Sequence, residues 1–342
     1  MTIDPIQTGI LAYGMSGKLF QAPFVTAHPG FTFRAITERH QKRAAQDYPD
    51  VISYDSVEAL LADDAIDLVI VNTPSTTHVA LATQALQAGK HVLLEKPVAT
   101  TVAELEGLLA LAQQVGRRVL AYQNRRWDSD YQAVCEVVES GQLGQLLEAH
   151  FRYDRFKITL NPKPFKEDPI PGSGLDFDLG PHLLDQAISL FGEPLSSTKT
   201  VGCYRPNSRV TDYFHFHLRY PNNLNVFVTG SLLVAQSGPA FVLHGTKGSF
   251  TKARADVQEA QLLQGLAPTV PTFGVEDPAQ IGTLTLADAA DVRTTTAYPS
   301  RPGSYLGLFE AVYQTLRNDQ PYPVQEQDLR TQLTLLESPA VG

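Results

Sequence analysis

Lys96, Asp178, His182 and Asp185 have side chains and spacings suited to moving protons. Lys96 stands in Leu94-Glu95-Lys96-Pro97, just past an apolar run that reads as a strand. A lysine partly withdrawn from water beside a bound cation has a lowered pKa and becomes a usable base. Taken alone, Lys96 reads as a surface lysine following a strand. Asp178, His182 and Asp185, in Asp176-Phe-Asp178-Leu-Gly-Pro-His182-Leu-Leu-Asp185, are spaced i, i+4, i+7 and would share one stripe of a helix. The positions around that stripe, Leu183, Leu184, Ile188 and Phe191, are apolar. Pro181 restricts Gly180, so the helix can begin near Pro181 and leave Asp178 in the turn before it. Asp178 then reads either as a site carboxylate or as a residue near a helix cap. His182 reads either as an acid/base group or as a core histidine.

A second candidate site lies near the N-terminus. Gly9-Ile-Leu-Ala12-Tyr-Gly14-Met-Ser16-Gly17 sits where a first strand gives way to a helix. Aligned to the dinucleotide pattern GxGxxG, it has Ala12 in place of the first glycine. Gly14 would let the backbone approach a pyrophosphate, and Gly17 would permit close packing of helix on strand. Amide groups at the helix start, from Ser16 on, would face the phosphates. The next strand ends in Ile36-Thr37-Glu38-Arg39-His40. Glu38 could accept from a ribose 2′-OH, which favours NAD. Arg39, with Lys42 and Arg43, could pair with a 2′-phosphate, which favours NADP. These charges would also suit the solvated start of a helix. The clustered cations make NADP the expected cofactor over NAD.

The surrounding elements alternate. Strands are expected at 7–12, 31–37, 67–72, 91–94 and 118–122. Helices are expected from about Ser16 and at 41–47, 57–62, 78–88 and 102–115. This rhythm signals βαβ units in a doubly wound parallel α/β sheet, and runs such as Leu68-Val69-Ile70-Val71 fit burial on both faces. After about residue 125 a helix at 130–140 leads into longer strands at 146–156, 197–204, 213–220, 225–234, 240–244 and 249–252. In the 213–220 strand, Phe214, Phe216 and Leu218 fall on one face, and Tyr213, His215, His217 and Arg219 on the other. An α+β second domain with a large, mostly antiparallel sheet is expected, with a dinucleotide-binding domain over 1–125 and a second domain over 126–342. The Pro-, Gly- and Thr-rich stretch 264–301 reads as surface loop, and 305–317 and 325–336 as helices.

With 342 residues, the chain is long enough for two domains, and 43% hydrophobic and 18% charged residues fit a soluble globular enzyme. A formal charge of −9 argues against a duplex nucleic-acid partner. The 2 cysteines, Cys135 and Cys203, form no CxxC pair. No signal-peptide pattern opens the chain and no apolar run approaches the about 20 residues of a membrane span, so a cytoplasmic protein with no membrane partner is expected.

Together, the glycine turn, Glu95-Lys96-Pro97 and the Asp178/His182 pairing resemble the Gfo/Idh/MocA oxidoreductase family (glucose–fructose oxidoreductase, inositol dehydrogenase and relatives), nearest in appearance to its scyllo-inositol dehydrogenase branch. Asn72-Thr73-Pro74 with His78, and Gln123-Asn124-Arg125-Arg126-Trp127, resemble that family's cofactor-side segments. Asn124, Arg126 and Trp127 also read as an ordinary domain junction. The resemblance implies Lys96, Asp178 and His182 as catalytic and substrate-binding residues, His182 leading as acid/base and Asp178 orienting the substrate hydroxyl or the base. It implies a polyol or sugar-like substrate, inositols or keto-inositols favoured, with aldoses and anhydro-sugars as alternatives. Arg152, Arg155 and Lys157 could instead favour an anionic substrate. It also implies a homodimer or homotetramer formed through the second domain's sheet. Other readings are a zinc site built on His215 and His217 with Asp178 or His182, and a dinucleotide-binding sensor without chemistry. No metal is expected.

Overall fold

The computed structural model describes residues 4–162 and 166–341. The chain divides into two units. The first comprises residues 1–124, 258–273 and 304–325, and the second comprises 125–257, 274–303 and 326–342.

In the first unit, β1 (Ile6–Ile10), α1 (Ala22–Ala27), β2 (Phe31–Thr37), α2 (Ala44–Asp47), β3 (Ile52–Tyr54), α3 (Val57–Leu61), β4 (Leu68–Val71), α4 (His78–Gln87), β5 (His91–Glu95), α5 (Val102–Gln114) and β6 (Val119–Tyr122) succeed one another. The 6-stranded sheet has the order β3-β2-β1-β4-β5-β6. All its pairings are parallel. This is the order of a dinucleotide-binding doubly wound sheet, in which ligands bind outside the carboxyl ends of the strands. Leu68 to Val71 are all fully buried, as a strand covered on both faces requires. Ser56 and Thr101 cap α3 and α5, their side chains accepting from Ala59 N and Glu104 N.

In the second unit lie α6 (Ser129–Glu139), β7 (Leu146–Asp154), α7 (Leu175–Asp178), α8 (Gly180–Phe191), β8 (Ser196–Gly202), β9 (Tyr213–Arg219), β10 (Asn225–Ser231), β11 (Phe241–Gly245) and β12 (Gly248–Lys252). There follow α9 (Val257–Leu263), β13 (Gly282–Ala287), β14 (Arg293–Tyr298), α10 (Leu306–Asn318) and α11 (Glu326–Glu337), of which α10 and nearly all of α9 belong to the first unit. The 8-stranded sheet has the order β14-β13-β12-β11-β7-β10-β9-β8. Its pairings are antiparallel except for β7 with β10. Phe214, Phe216 and Leu218 are fully buried, while His215 and His217 are half-buried on the other face.

The stretch 264–301 departs from the expected loop, because β13 and β14 extend the sheet there. Their sequences, GTLTLA and RTTTAY, carry the β propensity of threonine but bury little, and Arg293 to Ala297 are exposed. β14, the edge strand, has no buried face and leaves no apolar alternation to detect, and β13 beside it alternates over only two leucines, Leu284 and Leu286.

Aromatic packing explains why α10 groups with the first unit. Phe309 stacks on Phe24 with ring centroids 5.9 Å apart and meets Phe31 edge-on at 5.7 Å. His28 Nε2 lies 2.8 Å from Glu310 Oε2, and His28 Nδ1 accepts from Gly30 N at 3.1 Å. Arg317 Nη2 donates to Asp67 Oδ2 at 2.8 Å.

Candidate active site

The glycine turn after β1 is held from the neighbouring strand. Asn72, just past β4, accepts from Ala12 N through Oδ1 at 3.0 Å and donates from Nδ2 to Ala12 O at 2.8 Å. The chain then enters a π-helical turn, Ser16–Gln21, that runs into α1. A Cβ on Gly17 would lie 1.9 Å from Ala12 O and 2.9 Å from Asn72 Nδ2, so only glycine allows this approach. A Cβ on Gly14 would meet nothing within 4 Å. Ser16 Oγ donates to Glu95 Oε1 at 2.6 Å and Gln21 Nε2 donates to the same oxygen at 3.1 Å, so Glu95 braces the end of β5 against this helical segment. On the other side, Tyr13 Oη and Lys18 Nζ donate to Asp47 Oδ2 at 2.7 and 2.9 Å, joining α2 to the turn. Burial, with Asp47 beside it, raises the Tyr13 phenol from its ordinary value, and the bonds from Tyr13 and Lys18 lower Asp47.

Beside this turn lies a cavity of about 650 Å³, lined by Ala12, Tyr13, Glu38, Arg39, Arg43 and Thr73 among others. Pro74 and Thr77 complete the wall from the loop after β4. Glu38 is buried and its carboxylate is occupied. Oε1 accepts from Arg43 N at 2.8 Å and Ala44 N at 3.2 Å, and Oε2 accepts from Ser53 Oγ at 2.8 Å. A carboxylate there complements the N-terminal amides of α2. Lys42 is also engaged, by Asp55 at 2.7 Å and by Glu38 O and Ser53 O. Arg43 Nε donates to Gln41 Oε1 at 2.6 Å. Arg39 is exposed and makes no ion pair or side-chain hydrogen bond among the described residues. Of the three expected phosphate-binding cations, Arg39 and Arg43 line the cavity and Lys42 does not.

Lys96 is half-buried just past β5. His78, at the start of α4, spans the loops behind it, with Nδ1 2.8 Å from Pro97 O and Nε2 2.8 Å from Thr73 O. His78 therefore ties the cavity-lining loop to the one that carries Lys96.

In the second unit, Asp178 ends the short α7 and His182 occupies the first turn of α8. The aspartate is thus in the turn ahead of the helix, one of the two placements that Pro181 allowed. His182 is 7% exposed. Asp178 is half-exposed, and its Oδ2 lies 3.5 Å from Lys166 Nζ. Within α7, the buried Asp176 meets Lys199 Nζ at 3.1 Å and accepts from Thr211 Oγ1. Asp185, on the same helical stripe as His182, is matched by Arg126. Nε and Nη2 of Arg126 donate to the two Asp185 oxygens at 2.8 and 2.7 Å, and Nη2 also reaches Asp328 at 3.1 Å. Burial raises the Asp185 carboxyl, and the Arg126 guanidinium opposes the shift. Asn124 and Trp127 flank Arg126 at the ends of a 3₁₀ turn, buried and half-buried respectively.

The zinc reading finds other partners for its histidines. His215 Nδ1 contacts Thr229 Oγ1 and His217 Nε2 contacts Asn225 Oδ1, each at 2.9 Å, and both rings stack on Phe227. Among the described residues, no group of three or more His, Cys, Asp or Glu side chains could hold a metal ion.

The first unit fits a dinucleotide: open space over Gly14, a close-packed Gly17 and a cavity at the strands' C-terminal edge. Residues 6–123 match the model of the oxidoreductase family with an NAD-binding Rossmann fold, and residues 131–251 match the GFO/IDH/MocA C-terminal domain. The chain belongs to the Gfo/Idh/MocA oxidoreductase family. Like the family resemblance read from the motifs, the match runs over both halves. One similar family member is the uncharacterized oxidoreductase YdgJ of Escherichia coli, 34% identical over 334 residues, which cover 98% of this chain and 95% of that protein. Another is the scyllo-inositol 2-dehydrogenase (NADP(+)) IolW of Bacillus subtilis, 32% identical over 336 residues, covering 98% and 93%. The solved structure of the oxidoreductase yvaA from Bacillus subtilis superposes with a TM-score of 0.94 at 32% identity, covering 98% of this chain and 95% of that one. Among the described residues, no helix is long and apolar enough to cross a membrane.

Sequence reasoning missed the brace between Asn72 and Ala12, the Tyr13–Asp47–Lys18 link and the placement of Lys166. Only Asn72 carried a signal, as a polar residue directly after a fully buried strand.

Proposed function

We propose that this oxidoreductase transfers a hydride between NADP and a hydroxyl-bearing carbon of a polyol or sugar-like substrate, inositols and their keto forms favoured. The observation that carries the reading is the cavity beside the glycine turn, where Glu38 is spent on α2 and Arg39 is left to meet a ligand. A carboxylate that reads a ribose 2′-OH needs a free oxygen, whereas an unengaged guanidinium suits a 2′-phosphate. The NADP dependence and inositol substrate stated for the similar IolW support the same choice.

Gly14, Ser16 and Gly17 would hold the pyrophosphate, with Asn72, Thr73, Pro74, His78 and Glu95 shaping the cofactor side. Bound dinucleotide supplies the hydride acceptor in the oxidising direction. Oxidation of an alcohol needs a base for the hydroxyl proton while hydride leaves the carbon. His182 takes that proton, and Asp178 accepts from a second hydroxyl of the substrate and so orients the reacting one. Lys96 binds the reacting oxygen, its ammonium favouring the developing negative charge. Asn124, Arg126 and Trp127 act on the nicotinamide side, Arg126 by fixing α8 through Asp185. Self-association is proposed through the polar face of the second unit's sheet, around Phe227 and its flanking histidines.

The test is a screen of inositols, aldoses and sugar acids with NADP and NAD, followed by absorbance of the reduced dinucleotide. Turnover of a polyol with a lower KM for NADP is the expected result. A strong NAD preference would refute the cofactor assignment, and turnover of sugar acids alone the substrate class.

A further inference from the structure

Lys166 and Asp178 form an accessible ion pair, 3.5 Å apart, with side chains 39% and 41% exposed. Such pairs contribute little to stability, so the pair alone would mean nothing. Its supports give it meaning. Glu167, the next residue, turns inward, and both its oxygens meet Arg205 Nη2 at 3.2 and 3.0 Å. Arg205 is itself buried and reaches Asp212 Oδ2 at 3.3 Å, while Asn161 N donates to Glu167 Oε1 at 2.7 Å. The backbone at 166–167 is thereby pinned by a buried charge network, and Lys166 projects toward Asp178. From the other side, Asp178 stands on α7, which the Asp176–Lys199 pair and the bond from Leu175 N to Thr211 O hold at 2.8 Å. An ammonium and a carboxylate are thus presented to solvent from two anchored segments, a geometry that does not need ordering when ligand arrives.

We propose that Lys166 is a substrate-specificity residue that works with Asp178 to recognise two neighbouring oxygens of the substrate, as in a vicinal diol or an α-hydroxy ketone. Asp178 accepts from that second hydroxyl, and Lys166 donates to the oxygen on the adjacent carbon. The inference rests on the role of Asp178 proposed above. Simple alcohols without a second oxygen would lose the Lys166 contact.

The test compares wild type, Lys166→Met, Lys166→Arg and Asp178→Asn on the best polyol of the inositol and aldose panel and on its deoxy analogue lacking the adjacent hydroxyl. Loss of a charge-assisted hydrogen bond predicts a KM for the polyol raised about tenfold or more in Lys166→Met, with kcat changed far less. The deoxy analogue should show no such rise, and Lys166→Arg should restore most of the affinity. Titration with NADPH should give wild-type affinity in every variant, which separates a specificity role from damaged folding. An unchanged polyol KM in Lys166→Met, with Asp178→Asn inactive, overturns this inference and leaves the proposed function standing. Full activity of Asp178→Asn, or no turnover of any polyol by the wild type, overturns both.

Discussion

Replacing Gly14 and Gly17 one at a time by alanine should separate folding from cofactor binding within a single turn. At Gly17 the new methyl would sit 1.9 Å from Ala12 O and 2.9 Å from Asn72 Nδ2. The obstacle is backbone, so either the turn or the helical segment must move. Movement that breaks both Ala12–Asn72 hydrogen bonds loses about 1 kcal/mol each, and overpacking adds about 1–3 kcal/mol. Gly17→Ala should therefore lose about 3–5 kcal/mol of stability. At Gly14 the methyl meets nothing within 4 Å and the backbone φ is not positive, so stability should hold or rise by about 0.5 kcal/mol through a less flexible unfolded chain. The same methyl would stand where a pyrophosphate must approach, and dinucleotide affinity should fall at least about tenfold. Urea denaturation of the ligand-free proteins and fluorescence titration with NADPH read the two effects. A Gly17→Ala protein as stable as wild type, or a Gly14→Ala protein with unchanged affinity, would refute the reasoning.

Arg39→Ser should cost about 10–100-fold in the NADP/NAD ratio of kcat/KM, the worth of one charge-assisted contact to a 2′-phosphate, and an unchanged ratio would remove Arg39 from that role. Arg126→Met leaves the buried Asp185 without its bidentate partner and should destabilise the protein by about 3–5 kcal/mol, with Asp185→Leu added in the same chain recovering much of the loss by chemical denaturation. Burial, aided by Arg117, pushes His91 down to about 4, and its Nδ1 accepts from Arg118 N at 3.1 Å. Because the folded value lies below the unfolded value of about 6.5, this stabilisation is complete above about pH 6.5 and lost as pH falls through about 4. The shift corresponds to about 3 kcal/mol, reduced to about 1–2 by solvent at a half-exposed ring. Urea midpoints of His91→Asn and wild type should therefore converge toward pH 4, and parallel pH curves would contradict the assignment.

The parallel sheet was legible because strands covered on both faces are apolar throughout, as Leu68 to Val71 are. The phenylalanine-bearing face of β9 was legible for the complementary reason, a strict alternation. β13 and β14 were not, since the edge strand β14 and its neighbour β13 bury too little to leave a clear pattern. The return of α10 to the first unit depends on Phe309 meeting Phe24 and Phe31 across the chain, a pairing that no local periodicity encodes. In the candidate site, residue types and spacing identified Gly14, Gly17 and the Asp178/His182 pair. They did not reveal that Glu38 also takes the Ser53 hydroxyl or how Arg126 spends its charge, because Ser53, Asp185 and Asp328 are distant in sequence. Lys166 escaped notice for the same reason: its place beside Asp178 depends on Arg205 holding Glu167.

The central claim, hydride transfer assisted by Lys96 on the reacting oxygen and His182 as acid/base group, is tested most directly by Lys96→Ala and His182→Ala assayed with the best polyol under saturating NADP. Absorbance of the reduced dinucleotide should show kcat lowered about 10²–10⁴-fold in each, with NADPH binding retained. Turnover by both variants at the wild-type rate would contradict the account.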